Sequence, residues 1–478
     1  AMALRAEFQT GLGAADWAAI RFTVSQAFVS AAMSCLLAIP VSRALARRQF
    51  KGRGALITLL GAPFLLPVIV AVLGLVMVFG RNGIFNDVLG FLGMPEISIY
   101  GFHGVVLAHV FFNMPLVTRL ILQGWLAVPS ERFRLAASLN APIGRLIEWP
   151  MLRNILPSAF LVVFLICLMS FAVALTLGGG PKATTVELAI YQALRFDFDL
   201  GRAALLALVQ FGICAVAATI AWGITSPEVS GAGFDRAVQR WDGGVKRDVL
   251  AISLAALFLI LPLGMIVLRG SSALLSLQPD IWQAALRSVI VALCSSALCT
   301  VMALALALRA GRLVAVAGVL PLAASSLVLG TGLFLIVYPY ISPAKLALPM
   351  TMLVNAVLAL PFVLRAIAPA VTKIESDFGR LGASLAMSKG TWLWRIVLPR
   401  LRGPIGFGAG IAAALSMGDL GVIALFAGDA QETLPLAMYR LMGAYKMEAA
   451  SGAALLLLIM SFTLFWICDR GGRVNADL

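Results

Sequence analysis

The chain has 478 residues, 61% of them hydrophobic and only 12% charged, with a mean hydropathy of +0.99. A soluble globular domain carries about a quarter charged residues, so that class is excluded, and no strand-like alternation supports a membrane β-barrel. A net charge of +14 could suggest nucleic acid, but the Lys and Arg residues collect in alternate loops, as positive-inside topology requires, so the predicted surroundings are membrane lipid and not nucleic acid.

Apolar runs of about 20 residues, enough to cross ~30 Å of hydrocarbon, recur along the whole length and predict an all-α polytopic membrane protein. The first span is Phe22 to Leu45, followed by the basic loop Arg43, Arg47, Arg48, Lys51 and Arg53, which contains no acid and is assigned to the cytoplasm. Ala55 to Gly80 returns outward, interrupted by Pro63 and Pro67. An outer loop with Asn82-Gly83 and Pro95 leads to Gly101 to Val128. Ile155 to Leu177 then runs out to Gly178-Gly179-Gly180-Pro181, and Leu200 to Thr225 runs back. Residues 226–248 form the longest hydrophilic connection and are predicted to be a cytoplasmic linker. Beyond it lie Val249 to Leu268, Trp282 to Leu308, Val314 to Tyr338, Leu346 to Leu364, Ile405 to Phe426 and Ala449 to Cys468. The predicted division is therefore residues 1–225, with five spans, and residues 249–478, with six.

The two parts repeat one another. Arg134-Leu135-Ala136-Ala137-Ser138-Leu139 returns as Arg380-Leu381-Gly382-Ala383-Ser384-Leu385, 246 residues on. Trp17-Ala18-Ala19-Ile20-Arg21 resembles Trp282-Gln283-Ala284-Ala285-Leu286-Arg287, and Thr185 to Tyr191 resembles Thr433 to Tyr439. Copies in the same order and orientation predict a pseudo-twofold axis along the membrane normal. The extra helix Val249 to Leu268 leads the second half, and its first-half counterpart is expected to precede Ala1. Each copy of the Arg-Leu motif interrupts apolar sequence with polar residues and is followed by an aromatic and basic run ending at Pro150 or Pro399. Such a segment suits a short surface helix that docks on another protein.

Catalytic chemistry has little support. There is no glycine loop ending in Lys-Ser/Thr, no His-Glu-x-x-His and no Gly-x-Ser-x-Gly, and the chain is predicted not to be an enzyme. His103 and His109 read as helix-interior or interface imidazoles, with no metal site predicted. Gly178-Gly179-Gly180-Pro181-Lys182 follows no strand and reads as a loop at a helix end. The six cysteines (Cys35, Cys167, Cys214, Cys294, Cys299 and Cys468) lie inside apolar segments and read as small buried hydrophobes.

The run from Arg380 to Pro399 resembles the EAA signature of type I ABC importer permeases, which reads Glu-Ala-Ala, then Gly three residues past the triplet, then Ile-x-Leu-Pro. The chain departs from it: Arg134 and Arg380 stand where the acid belongs, Asn140 and Ala386 at the glycine, and Glu148-Trp149-Pro150 at the first Leu-Pro. The block Leu177 to Leu194, together with His109 to Pro115, Glu148-Trp149-Pro150 and Gly418 to Phe426, narrows the match, and from about Trp17 onward the chain resembles fused thiamine ABC transporter permeases. That resemblance implies two tandem type I ABC importer bundles in the bacterial inner membrane, which import thiamine and its phosphate esters. It implies a homodimeric ABC ATPase carrying ATP and Mg on the cytoplasmic face, and a periplasmic thiamine-binding protein. The residues expected to couple to the ATPase are Arg134, Ala137, Ser138, Gly144, Arg380, Gly382, Ala383, Ser384 and Gly390. The same plan serves permeases for iron(III) or another small solute, the alternative within the class. An ion-coupled secondary transporter is the alternative outside it, and would carry several intramembrane acids and no cytoplasmic repeat.

Asp419 lies between apolar neighbours, where a carboxylate is costly and faces a cavity or a partner. Two readings stand: it meets the thiazolium cation in the translocation path, with Tyr191 and Tyr439 offering cation–π faces, or it caps backbone freed near Gly418 and Gly421. Glu187 and Lys182 are expected on the outer face, at the binding-protein dock.

Overall fold

The structure is a computed structural model that describes residues 2–6, 11–61, 66–180, 183–224, 244–309, 318, 321, 324–428 and 431–473. Among them every regular element is helical. In chain order these are α1 (Ala14–Arg47), α2 (Arg53–Leu59), α3 (Val68–Phe79), α4 (Ile84–Phe91), α5 (Phe102–Ala127), α6 (Ser130–Ser138), α7 (Trp149–Leu168), α8 (Phe171–Leu177), α9 (Val186–Arg195) and α10 (Leu200–Ile224). There follow α11 (Val245–Ala273), α12 (Pro279–Ala307), α13 (Ser326–Val337), α14 (Ala347–Ser384), α15 (Leu398–Met417), α16 (Gly421–Phe426), α17 (Leu434–Gly443) and α18 (Met447–Arg473). Among the described residues ten helical segments, one of them α3 and α4 taken together (Val68–Phe91), are long and apolar enough to span a membrane, and the chain is a multi-pass membrane protein.

Two expectations need correction. Of the span expected over Val314 to Tyr338, residues 314–317, 319, 320, 322 and 323 lie outside the described residues, and the main described element is the 12-residue α13. The helix sought from Val249 starts at Val245, because Lys246 and Arg247 are helix-compatible and Gly244, at φ +94°, supplies the turn before them. The second Arg-Leu motif is not a separate surface helix. It forms the last turns of the 38-residue α14. The first motif is separate, as α6, because Pro129 precedes it and has no N–H to continue α5. In the second copy Glu375 stands at the matching position.

The repeat is visible in hydrogen bonds. Thr23 Oγ1 on α1 accepts from Val186 N, which opens α9, at 2.9 Å. Ser288 Oγ on α12 accepts from Leu434 N, which opens α17, at 2.8 Å. Each short helix is thus fixed at its N-terminus to the long helix of its own half that carries the Trp17 or Trp282 repeat, where free N–H groups need acceptors. The long helix before it breaks in both halves as well, at Ser170 between α7 and α8 and at Gly418-Asp419-Leu420 between α15 and α16.

The halves interpenetrate. The short helix α3 of the first half packs on α11, α17 and α18 of the second, while α13 packs on α9, α10 and the single helical turn Met2–Arg5 of the first. A shared core joins Ile69, Val70 and Leu73 to Leu327, Val422 and Met438. The α3–α11 crossing is close because of Gly74, where a Cβ would come within 2.7 Å of the Pro262 carbonyl oxygen. At membrane helix crossings, where dispersion drives association, small residues serve this purpose.

Four of the six cysteines are buried as expected, whereas Cys468 is half-buried and Cys294 exposed on the outward side of α12. His109 is buried, with Nδ1 3.3 Å from Ser30 Oγ, and His103 contacts the Ser98 carbonyl.

Candidate coupling segments and the inter-half site

Both Arg-Leu motifs end in the same way. Ala141 N donates to Ala136 O at 2.8 Å, and Asn140 N to Ala137 O at 3.2 Å. Met387 N donates to Gly382 O and Ala386 N to Ala383 O, each at 3.1 Å. This paired pattern is a Schellman stop, whose last residue must enter the left-handed region. Asn140 does so at φ 47° and Ala386 at φ 48°, the two positions aligned with the glycine of the EAA signature. Asn tolerates this conformation and Ala does not, at a cost of about 1–2 kcal/mol. Ala386→Gly is therefore expected to stabilise the detergent-solubilised protein by up to about 1 kcal/mol and Asn140→Gly by only a few tenths, read as a rise in the thermal unfolding midpoint. Equal shifts for the two variants would remove this explanation.

Beyond each stop the chain makes one π-helical turn, Gly144–Glu148 or Leu393–Val397, and enters α7 or α15. The copies diverge at its last residue. Glu148 accepts from Arg43 Nε at 2.7 Å, tying the first cytoplasmic loop to the segment, whereas Val397 is buried in an apolar cluster of the second half.

The two segments lie at one end of the molecule. Arg43 holds the first segment beside the end of α1, and Asp248, opening α11, pairs with Arg47 (3.4 Å) and Arg48 (2.5 Å) at that same end. Gly270, late in α11, packs on Ser451 and Leu455, early in α18, so the two helices are antiparallel. Gly472, at the far end of α18, packs on Arg402 and Gly406, next to the second segment.

Of the predicted coupling residues, Arg134, Ala137, Ser138, Gly144, Arg380, Ala383, Ser384 and Gly390 are exposed. Gly382 is not: it is buried, and a Cβ there would lie 2.6 Å from the Trp392 ring. Its role is to seat Trp392 beneath α14, so it is corrected from a surface contact to a packing position. Large apolar side chains of the repeat and its aromatic run, not among the predicted coupling residues, share the exposed surface, namely Leu139, Trp149, Leu385 and Trp394 at 68%, 61%, 63% and 73%. Exposed apolar groups of this size, clustered among polar ones, mark a protein interface.

The expected outer-face residues fare differently. Lys182 lies outside the described residues. Glu187 is fully buried, with Ser325 and Gln210 the polar side chains that face its carboxylate. Helix α9 is too short to cross a membrane, and burial there pushes the Glu187 carboxyl up to about 8, offset in part by Ser325 and Gln210. A buried, protonated group offers no charge to a partner, so Glu187 is removed from the docking surface.

Tyr191 on α9 and Tyr439 on α17 stand near each other across the two halves. Burial raises both hydroxyls, Tyr191 further raises Tyr439, and Arg195 and Arg440 act in the opposite direction on Tyr191. Arg440 pairs with Glu432, and Arg195 donates to Ala427 O at 3.2 Å, so the second half reaches over α9 here. Asp419 Oδ1 accepts from Gly421 N at 3.2 Å and caps α16, while the buried Oδ2 has no hydrogen-bond partner among the described residues. Next to it, a Cβ on Gly418 would lie 2.9 Å from Pro67 Cα of the first half.

Comparison with known proteins now bears on these features. The chain is 36% identical over 95% of its length to the thiamine transport system permease protein ThiP of Salmonella typhimurium, of which it covers 89%. It is 37% identical over 96% of its length to that of Brucella abortus, covering 89%, and 36% identical over 96% to that of Escherichia coli K12, covering 90%. This chain belongs to the thiamine transport system permease family. It is also 27% identical over 41% of its length to the trehalose/maltose transport system permease protein MalF of Thermococcus litoralis, covering 70% of it, and the fold is that of an ABC importer transmembrane subunit. No protein-family model matches. With these relatives, the ten apolar helices make this a multi-pass inner-membrane protein.

Proposed function

We propose that this chain is the membrane-spanning subunit of an ATP-driven importer for thiamine and its phosphate esters, worked by a separate ATPase and fed by a periplasmic binding protein. Residues 1–225 and 249–478 act as its two permease halves. The observation that carries this reading is the recurrence, at one end of the molecule, of a single surface segment with the same stop, the same π turn and the same exposed Leu and Trp side chains. A two-fold ATPase needs two matched contacts on one face, and here each half supplies one.

Each contact sits on a stiff element. α14 runs for 38 residues, about 57 Å, from the shared core, which holds Ala347 and Val354, to the second segment without a break. α6 is separated from α5 by Pro129, but Phe133 stacks on the buried Trp125 with ring centroids 6.2 Å apart, which holds the joint. Closure of an ATPase dimer on these segments would draw the halves together at that end and part them at the other, giving alternating access. Bond breaking belongs to the partner, where ATP and Mg bind.

Within the path, Asp419 suits the thiazolium cation, since its Oδ1 is committed to α16 while its Oδ2 is left incompletely paired, the Asn355 amide beside the carboxylate being shared with Ser416 Oγ. Tyr191 stands beside two guanidiniums, which suit a phosphate ester better than a cation. Vesicles holding the permease, the ATPase and the binding protein should accumulate radiolabelled thiamine only with ATP. Asp419→Asn keeps the capping oxygen and removes the charge, and is expected to lower uptake about 10-fold or more, the value of one charged contact, while ATPase assembly is unchanged. Undiminished uptake by this variant would exclude Asp419 as a substrate contact. Failure of the wild-type vesicles to accumulate thiamine would overturn the transport assignment itself.

A further inference from the structure

A groove of about 770 Å³ opens on the outer surface where α2 meets the start of α11. Phe50, Leu56, Val249, Ile252 and Ile260 line most of it, and Arg48 lines it at the cytoplasmic end. From Val245 to Ile260 it follows α11 for about 22 Å, the span of one lipid leaflet with its headgroup. Among the described residues, charge around its mouth is predominantly basic: Arg47, Arg48, Lys51, Arg53, Lys246 and Arg247 accompany Asp248. Arg48 is buried, its side chain 6% exposed. Its Nε is taken by Asp248 at 2.5 Å, and its Nη2 is buried with no hydrogen-bond acceptor among the described residues. A buried guanidinium N–H without an acceptor is costly, and a phosphate oxygen is the acceptor its planar fork fits best.

We infer that this groove binds an anionic phospholipid of the cytoplasmic leaflet, its phosphate on Arg48 and an acyl chain along α11. The site bridges the halves, because Arg48 and α2 belong to the first and α11 leads the second. The lipid would therefore reinforce the Arg47–Asp248–Arg48 junction, which sits at the same end as the coupling segments. Asp248 neutralises only one of the two guanidiniums in that junction, and the excess of basic residues selects an anionic headgroup over a zwitterionic one.

The test uses the full chain in detergent, with phosphatidylglycerol or phosphatidylcholine of the same acyl composition added back. Phosphatidylglycerol is expected to raise the unfolding midpoint about 4 °C above phosphatidylcholine, and native mass spectrometry should find one such lipid retained per chain. Glycerol phosphate without acyl chains should give no shift. Arg48→Gln should lose the difference between the two lipids. Ile252→Trp, which fills the groove and leaves the ion pairs intact, should lose lipid retention. Equal shifts with both lipids, persistence of the difference in both variants, or a shift with glycerol phosphate alone would overturn the proposal. So would a photo-cross-linker at Ile252 that reacts with residues 225–243 in place of lipid.

Discussion

Ala137→Glu combined with Ala383→Glu is expected to lower ATP-dependent uptake by at least about 30-fold while leaving the unfolding midpoint within a degree or two of the wild type. Both alanines are exposed on the last turns of their segments, one residue before Ser138 and Ser384, whose hydroxyls are spent on the Leu135 and Leu381 carbonyls at 2.9 Å. An added carboxylate there remains in water in the free permease, so stability moves little. In the docked complex it must be dehydrated against a closely packed surface, at about 1–3 kcal/mol for each copy. The copies lie on different halves and share no contact, so the two penalties add. Each single variant should keep part of the activity, and co-purification of the ATPase should fall in parallel with uptake. Uptake that persists in the double variant, with the ATPase still bound, would mean that the partner docks elsewhere.

These segments were legible because a polar interruption has no place in lipid and because it occurs twice. The long spans were legible for the related reason that hydrocarbon thickness sets their length. What escaped depended on contacts between residues far apart in sequence. Glu187 follows Thr185 at a helix start and reads as a surface acid, yet α13 of the other half covers it. Gly382 reads as part of a surface motif, and only the fold brings Trp392 beneath it. Whether a motif forms its own helix was decided by one residue, Pro129 against Glu375, and that difference could have been read in advance. So could the Asp16–Arg202 pair at 2.8 Å and the Asp248 junction, since acids at the ends of apolar spans are rare enough to demand partners. The left-handed residues were legible only in part: Asn140 and Ala386 stand at the glycine of the EAA signature, but neither side chain announces a positive φ by itself.

Gly74→Leu is expected to have the larger effect on stability, about 3 kcal/mol or more, and to abolish uptake. A Cβ at Gly74 would stand 2.7 Å from the Pro262 carbonyl oxygen and 2.9 Å from Ile266 Cδ1, both on α11 of the other half. The carbonyl is backbone inside a long helix and cannot rotate aside, so α3 and α11 must separate and the shared core must open with them. The matching position in the second half behaves differently. At Gly332 the nearest atom is Met2 Cε, 2.9 Å from an added Cβ, and the end of a methionine side chain can swing away. Gly332→Leu should therefore cost less than half as much as Gly74→Leu, although the two glycines occupy equivalent places in the repeat. Gly212→Leu, on α10 with no atom within 4 Å of its added Cβ, supplies the control and should be neutral. Unfolding midpoints measured in one detergent would rank the three variants. If Gly74→Leu fell with Gly212→Leu, the close α3–α11 crossing would not be what joins the halves.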